Sequence, residues 1–257
     1  MPFARCHSAG RVHYAERGEA RSGHWPVLLI HGAGASAAIW MMVMARLGPV
    51  TRVVAIDLPG HGPSAAFESQ GAGGPGLADY RDAAGELAAL VGLGPSVVVG
   101  HSMGALIAIE AALAWPDKVR GLVLCAAAPR LPVSRELLKV IDQDYARFPA
   151  WLAERALSAS AKPALRRAFV AAGVVASQEV TRADFQAIDG VDLGARLAQV
   201  GCPMVWIDGA DDVIVGERGA RPGEVETIEG VGHLVPIEAP AAVARAAITV
   251  GERSGAR

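Results

Sequence analysis

The chain has little with which to hold a metal, cross a membrane or grip a polyanion. Three of its 257 residues are cysteine, Cys6, Cys125 and Cys202. They are odd in number and widely spaced, with no Cys-x-x-Cys pair, so the expectation is reduced thiols in a cytoplasmic setting. No stretch of about 18 uncharged apolar residues occurs, and no membrane span is expected. The opening Met-Pro-Phe-Ala-Arg-Cys-His lacks the apolar run of a secretory signal. The net charge of −2 leaves no bulk electrostatic case for nucleic acid or an anionic membrane. Lysine is confined to Lys118, Lys139 and Lys162, and the arginine excess reads as genomic base composition. What is present is globular: 52% hydrophobic, 19% charged, and long enough to bury a sizeable core.

Hydrophobic patterning predicts a strand pair over residues 3–17, then buried strands at Val27–Ile30, Thr51–Ile56, Val97–Val99, Val119–Cys125 and Met204–Ile207, with a further strand at Val225–Ile228. Helical spacing falls between them, at 37–47, 77–93, Met103 to Trp115 and from about Pro240. Residues 68–76 read as a mobile loop. The alternation argues for an α/β fold, a doubly wound, mostly parallel sheet with helices on both faces. It is interrupted between Pro129 and Val200, where no strand is evident. Leu137, Leu138, Ile141 and Tyr145 make one apolar face, Leu165, Phe169 and Val170 suggest another, and Thr181 to Asp184 fits a helix start. The expected organisation is therefore a core of residues 1–128 and 201–257 with a helical cap, or lid, inserted at 129–200.

Two glycine-rich junctions compete to define the chemistry. Gly32-Ala33-Gly34-Ala35-Ser36-Ala37 fits Gly-x-Gly-x-x-Ala, with Asp57 20 residues beyond Ala37, the spacing of a dinucleotide fingerprint. Against a nicotinamide-dependent dehydrogenase stand His31 directly before the first glycine, the rigid Pro-Gly-His-Gly-Pro after Leu58, and the lack of a Tyr-x-x-x-Lys pair. The same loop can instead offer a backbone N–H to an oxyanion. At the second junction, Val97-Val98-Val99 runs into Gly100-His101-Ser102-Met103-Gly104, and an alanine-rich helix follows. Composition alone can supply such a match in a chain with 30 glycines. Its strand-to-helix setting is what places a serine hydroxyl on a sharp turn beside free helix N–H groups. A serine needs a base, and the base a carboxylate. Both kinds follow in order: Asp208-Gly209-Ala210-Asp211-Asp212 after one strand, Gly232-His233 after the next.

With these motifs the chain resembles the α/β-hydrolases over nearly its whole length. The matches are His31-Gly32-Ala33-Gly34 with Trp40, Asp57 to Ser64, Gly100 to Gly104, Gly209 to Asp212, and Gly232-His233 with Glu238-x-Pro240. The resemblance implies Ser102 as nucleophile, His233 as general base and acid, and Asp212 rather than Asp211 as the orienting carboxylate. It implies an oxyanion hole from the backbone N–H groups of Ala33 and Met103, and no cofactor. The segment between Asp212 and His233 is shorter than in the family, so its usual helix is expected to shrink to a turn. Serine at the elbow excludes the haloalkane dehalogenase and epoxide hydrolase branches, which resemble this fold but use aspartate there.

The implied activity is a serine hydrolase of the carboxylesterase or carboxyl methyl esterase kind. Enol-lactonases, carbon–carbon bond hydrolases and perhydrolases are alternatives on the same motifs, and a non-catalytic binder on the same fold is an alternative of another class. His31, Gly32, His101 and Trp151 are the candidates for lining a substrate pocket. A metal site from His31, His61, His101 and Asp57 has no supporting spacing, and His7, His13 and His24 read as surface residues. Phe148, Trp151, Leu152 and Phe169 fit either an acyl pocket or the cap's own core. From Arg130 to Arg167 eight basic residues stand against four acids. That surface would suit an acyl-carrier protein or an anionic substrate, and equally a merely solvated helical face.

Overall fold

A computed structural model describes residues 2–67, 74–172 and 176–255. The expected loop at 68–76 lies mostly outside the described residues. Eight strands form one sheet: β1 (Phe3–Cys6), β2 (Gly10–Arg17), β3 (Val27–Ile30), β4 (Val53–Ile56), β5 (Ser96–His101), β6 (Val119–Cys125), β7 (Met204–Gly209) and β8 (Glu224–Ile228). Their spatial order is β1-β2-β4-β3-β5-β6-β7-β8. β1 and β2 pair antiparallel, β2 runs antiparallel to β4, and all later pairings are parallel.

β3, β4, β5 and β7 are buried at every position, as strands covered on both faces must be. Their side chains alternate between two apolar layers. Leu28, Ile30, Val98 and Leu124 face one, with α2 (Leu77–Leu90) and α3 (Met103–Ala114). Val27, Leu29, Val97, Val99 and Val123 face the other, with α1 (Met41–Leu47) and a C-terminal helix at Pro240–Arg253. Each such buried aliphatic side chain contributes about 1.5–3 kcal/mol. The chain leaves β3 toward β4 and returns on the other side as β5, so the strand order reverses between β3 and β5. Ligand sites in open α/β sheets lie at such a reversal, beyond the carboxyl ends of the strands. Register brings Ile30 opposite Gly100, which sets the loop at His31 beside the turn at Ser102.

Between β6 and β7 the described chain is helical: α4 (Arg135–Gln143), α5 (Phe148–Ala156), α6 (Pro163–Ala172) and α7 (Gln178–Ile188), with short 3₁₀ turns. Its inner cluster is Leu137, Ile141, Phe148 and Trp151, with Tyr145 packed on it. A second cluster joins Ala153, Ala156 and Leu157 to Leu234 of the sheet domain, with Leu165 and Phe169 against it. After β8 come α8 (Val235–Glu238) and α9 (Pro240–Arg253).

Several expectations need correction. The helix at 37–47 opens as a 3₁₀ turn, Ala37–Trp40, capped by the Ser36 hydroxyl. The helix at 77–93 ends at Leu90, because Gly92 and Gly94 adopt φ of +62° and +71°. β8 is a mostly exposed edge strand. Val170 is solvent-facing. α7 starts three residues before Thr181, at Gln178, capped by Ser177, whose hydroxyl accepts the Val180 N–H. Thr181 and Asp184 therefore sit inside the helix, and both are buried. His13 is buried too, with its Nδ1 on Asp57. As expected, no helix forms between β7 and β8, a stretch described throughout.

Candidate active site

Ser102 occupies the turn between β5 and α3 at φ 53°, ψ −118°. A non-glycine residue in that region costs about 1–3 kcal/mol and persists only where its surroundings impose it. They do so here. A Cβ on Gly100 would stand 2.2 Å from the Gly104 carbonyl oxygen, and one on Gly104 2.3 Å from that of Ile30. The Ser102 N–H donates to the Cys125 carbonyl at 2.9 Å, tying the turn to the tip of β6. Ser102 is half-buried while its neighbours are buried. Met103 opens α3, in the first turn where backbone N–H groups have no partner within the helix.

The β3 loop lies directly against this turn. A Cβ on Gly32 would be 3.0 Å from the His101 carbonyl oxygen and 3.1 Å from Ser102 Cβ. His31 is fully buried and held on both ring nitrogens. Nδ1 donates to the Gly32 carbonyl at 2.8 Å and Nε2 accepts the Leu58 N–H at 3.0 Å. Burial and the nearby His61 hold its pKa well below the ordinary imidazole value, so it stays neutral. The Ala35 N–H donates to the same Gly32 oxygen at 3.2 Å. A trans peptide points its C=O and N–H in opposite directions. Anchoring the Gly32 oxygen therefore turns the Ala33 N–H the other way.

His233 follows β8 and is buried. Its Nδ1 donates to Asp212 Oδ2 at 3.1 Å. Its carbonyl accepts from His101 Nε2 at 2.9 Å, and the two rings lie 4.9 Å apart. His101, one residue from Ser102, is thus the member that brings the His233 loop to the elbow. Burial, then the neighbouring His233, lower its pKa to about 3, so it remains a neutral Nε2–H donor. Asp212 Oδ1 accepts the N–H groups of Ile214 (2.9 Å) and Val215 (3.3 Å), and Oδ2 also accepts from Arg218 Nη2 at 3.1 Å. Burial raises the Asp212 pKa, but the His233 bond and those amides outweigh it and bring it down to about 2.

The other acids nearby are otherwise engaged. Asp211 Oδ2 accepts the Ser158 hydroxyl at 2.5 Å. Asp208 is bidentate with Arg221 at 3.0 and 2.7 Å. Both Asp57 oxygens are turned inward, one to the Ala37 N–H at 2.6 Å and one to His13, which leaves none for a ribose hydroxyl. His61, like His31, has both ring nitrogens on protein partners.

Trp151 does not line the elbow in its described contacts. Its Nε1 donates to Glu136 at 3.1 Å, Arg155 covers its ring at 4.1 Å, and it packs on Phe148. These partners are all within the helical segment, so Trp151 and Phe148 belong to that segment's own core. Four residues escaped the sequence reading. Arg218 lies in a Gly- and Pro-rich stretch without periodicity, and Tyr80 looks like any buried residue of a helix. Asp184 looked like a helix-capping acid, and His13 like a surface residue on a two-stranded ribbon. Tyr80, Asp184 and His13 matter here only through partners far along the chain, and Arg218 through Asp212 six residues before it.

The alpha/beta hydrolase family model matches residues 27–246. The chain belongs to the alpha/beta hydrolase family. It is 31% identical, over 82% of its length and 89% of the relative's, to a pimeloyl-[acyl-carrier protein] methyl ester esterase of Xanthomonas oryzae pv. oryzae. It is 28% identical to the (E)-2-((N-methylformamido)methylene)succinate hydrolase of Acinetobacter baylyi, over 91% and 92% of the two chains. Among solved structures it resembles a thermophilic esterase from Thermogutta terrifontis, with a TM-score of 0.80, 25% identity and 95% of each chain covered. Among the described residues no helix is long and apolar enough to cross a membrane.

Proposed function

We propose that the protein is a serine hydrolase that cleaves a carboxylic ester through an acyl-enzyme on Ser102. The observation that carries this reading is the Asp212–His233 pair standing behind a strained elbow serine, linked to it through the bond from His101 to the His233 carbonyl. His233, held by Asp212 with its Nδ1 proton inward, presents Nε2 as the base. It takes the proton from Ser102 Oγ as that oxygen bonds to the ester carbonyl carbon. The resulting oxyanion accepts hydrogen bonds from the N–H groups of Met103 and Ala33. Collapse breaks the ester C–O bond, and His233 returns the proton to the departing alkoxide. Water, deprotonated by the same imidazole, then releases the acid and restores Ser102. No cofactor enters the scheme.

Residues 129–200 act as a cap over this site. The ester-cleaving relatives support an ester over the other acyl substrates. The carrier-bound substrate in one relative's name, together with Arg130, Arg135, Lys139, Arg147, Lys162 and Arg167, all exposed, supports an acidic acyl-carrier protein at the cap surface. The protein should react with a fluorophosphonate probe at Ser102, and Ser102→Ala should lose labelling and at least 10³-fold in ester hydrolysis. A folded wild-type protein that takes no label overturns the reading. Across p-nitrophenyl esters of rising chain length, the chain length with the highest kcat/KM reports pocket depth.

A further inference from the structure

Asp184 is a completely buried carboxylate in the middle of α7, and the chemistry above makes no use of it. All its described partners come from the sheet domain. Oδ2 accepts the Gly34 N–H at 2.8 Å and His61 Nε2 at 2.8 Å, and Oδ1 accepts the Tyr80 hydroxyl at 2.7 Å. The other nitrogen of His61, Nδ1, faces the Pro59 carbonyl at 3.0 Å. Both ring nitrogens of His61 meet acceptors, so both donate and the ring is a cation against the Asp184 carboxylate.

A cap that needed only to stay in place would dock more cheaply through apolar contacts, since burying a charge pair brings little net stability. What the carboxylate adds is direction, because it grips one backbone amide. Gly34 has φ of +66° and directly follows Ala33. The peptide plane before Ala33 is set from the sheet side, by His31 and the Ala35 N–H on the Gly32 oxygen. The plane after Ala33 ends in the Gly34 N–H, and Asp184 sets that one. With both planes held, the φ and ψ of Ala33 have no remaining freedom and its N–H has one direction.

We infer that Asp184 is a positioning residue for the oxyanion loop, so that docking of the cap helix completes the site. The inference rests on the serine-hydrolase reading. His61 makes the arrangement compatible with catalysis, because an unneutralised carboxylate beside the loop would repel the oxyanion. Displacing α7 removes the acceptor from Gly34 and frees the loop, so a substrate that holds the cap down is turned over faster than one that does not.

The test is Asp184→Asn, assayed on p-nitrophenyl esters and with a trifluoromethyl ketone, which forms a tetrahedral oxyanion on the serine. The amide keeps the side-chain volume but loses the charge and one strong acceptor oxygen. The expected result is a kcat lower by about 10- to 100-fold, a KM within about twofold of wild type, and ketone affinity lower by the same factor as kcat. A lower melting temperature with kcat, KM and ketone affinity unchanged overturns the inference and leaves Asp184 as packing. Should Asp184→Asn not fold, Tyr80→Phe removes one bond that orients the carboxylate while sparing the one to Gly34. A kcat loss of about threefold at unchanged KM is then expected, and an unchanged kcat overturns the inference. Wild-type protein that fails to label with fluorophosphonate defeats the underlying reading. Wild-type labelling with an Asp184→Asn variant of undiminished kcat defeats only this one.

Discussion

The loop from Gly32 to Ala37 is held by two carboxylates of unlike origin. Asp57, at the end of β4, takes the Ala37 N–H and pairs with His13 of β2. Asp184, on α7, takes the Gly34 N–H and pairs with His61. Each is buried with a histidine partner. The first pair joins strands already bonded to each other in one sheet, so it opens only when the sheet opens. The second spans α7 and the sheet domain, so on the proposed cap reading it opens whenever that helix lifts. One end of the loop is thus fixed by the fold and the other, on that reading, is conditional on the cap. A buried carboxylate held on a histidine serves stability in one place and control in the other because the elements it connects differ.

The sharpest way to break this comparison is Asp57→Ala. It strands the Ala37 N–H and His13 in the interior and should cost about 3–5 kcal/mol in urea unfolding. A loss below about 1 kcal/mol would erase the distinction, because Asp57 would then be no more structural than its counterpart. Asp184→Asn should show the reverse balance, with kcat falling far more than stability.

The third carboxylate–histidine pair, Asp212 with His233, sets a different limit. Its pKa near 2 lies below the ordinary carboxylate range, so in acid the unfolded chain binds this proton before the folded one does. The stability it contributes, about 2 kcal/mol, is present above that range and is lost as pH falls toward 2. Urea titrations from pH 6 down to 2 should lose that increment in the wild type and not in Asp212→Asn. The smallest effect is local. By hydrogen exchange at neutral pH, the Gly34 amide should exchange faster than the Ala37 amide, since cap opening exposes the first and only global unfolding the second. Equal rates would mean that cap and core open together.

The same division between core and cap governs how much could be read from the sequence. The sheet was legible because strands covered on both faces must be continuously apolar, as Val27–Ile30 and Val53–Ile56 are. The elbow was legible because its backbone admits no side chain at Gly100 or Gly104. The acid was legible only through the resemblance, which favoured Asp212; in the structure Asp212 is in contact with His233. In the cap, local signals misled. Thr181-x-x-Asp184 has the spacing of a capping box, but three residues is also the distance between neighbours on one face within a helix. The true cap, Ser177, has Val180 where a reciprocating acid would stand. His13 falls between Val12 and Tyr14, where an alternating strand puts its surface positions, and only Asp57, 44 residues away, explains its burial. Trp151 could line a pocket or fill a core by composition alone, and the packing of Phe148 on it made it core. Long-range polar pairing leaves no periodicity to read.

The turn at Ser102 also bears on how such a chain changes over time. Glycine would adopt φ of +53° without strain, so the folded state carries a standing penalty for having a side chain there. Selection for a sturdier fold alone would replace the serine. Its persistence in any descendant would then record that its hydroxyl is still in use.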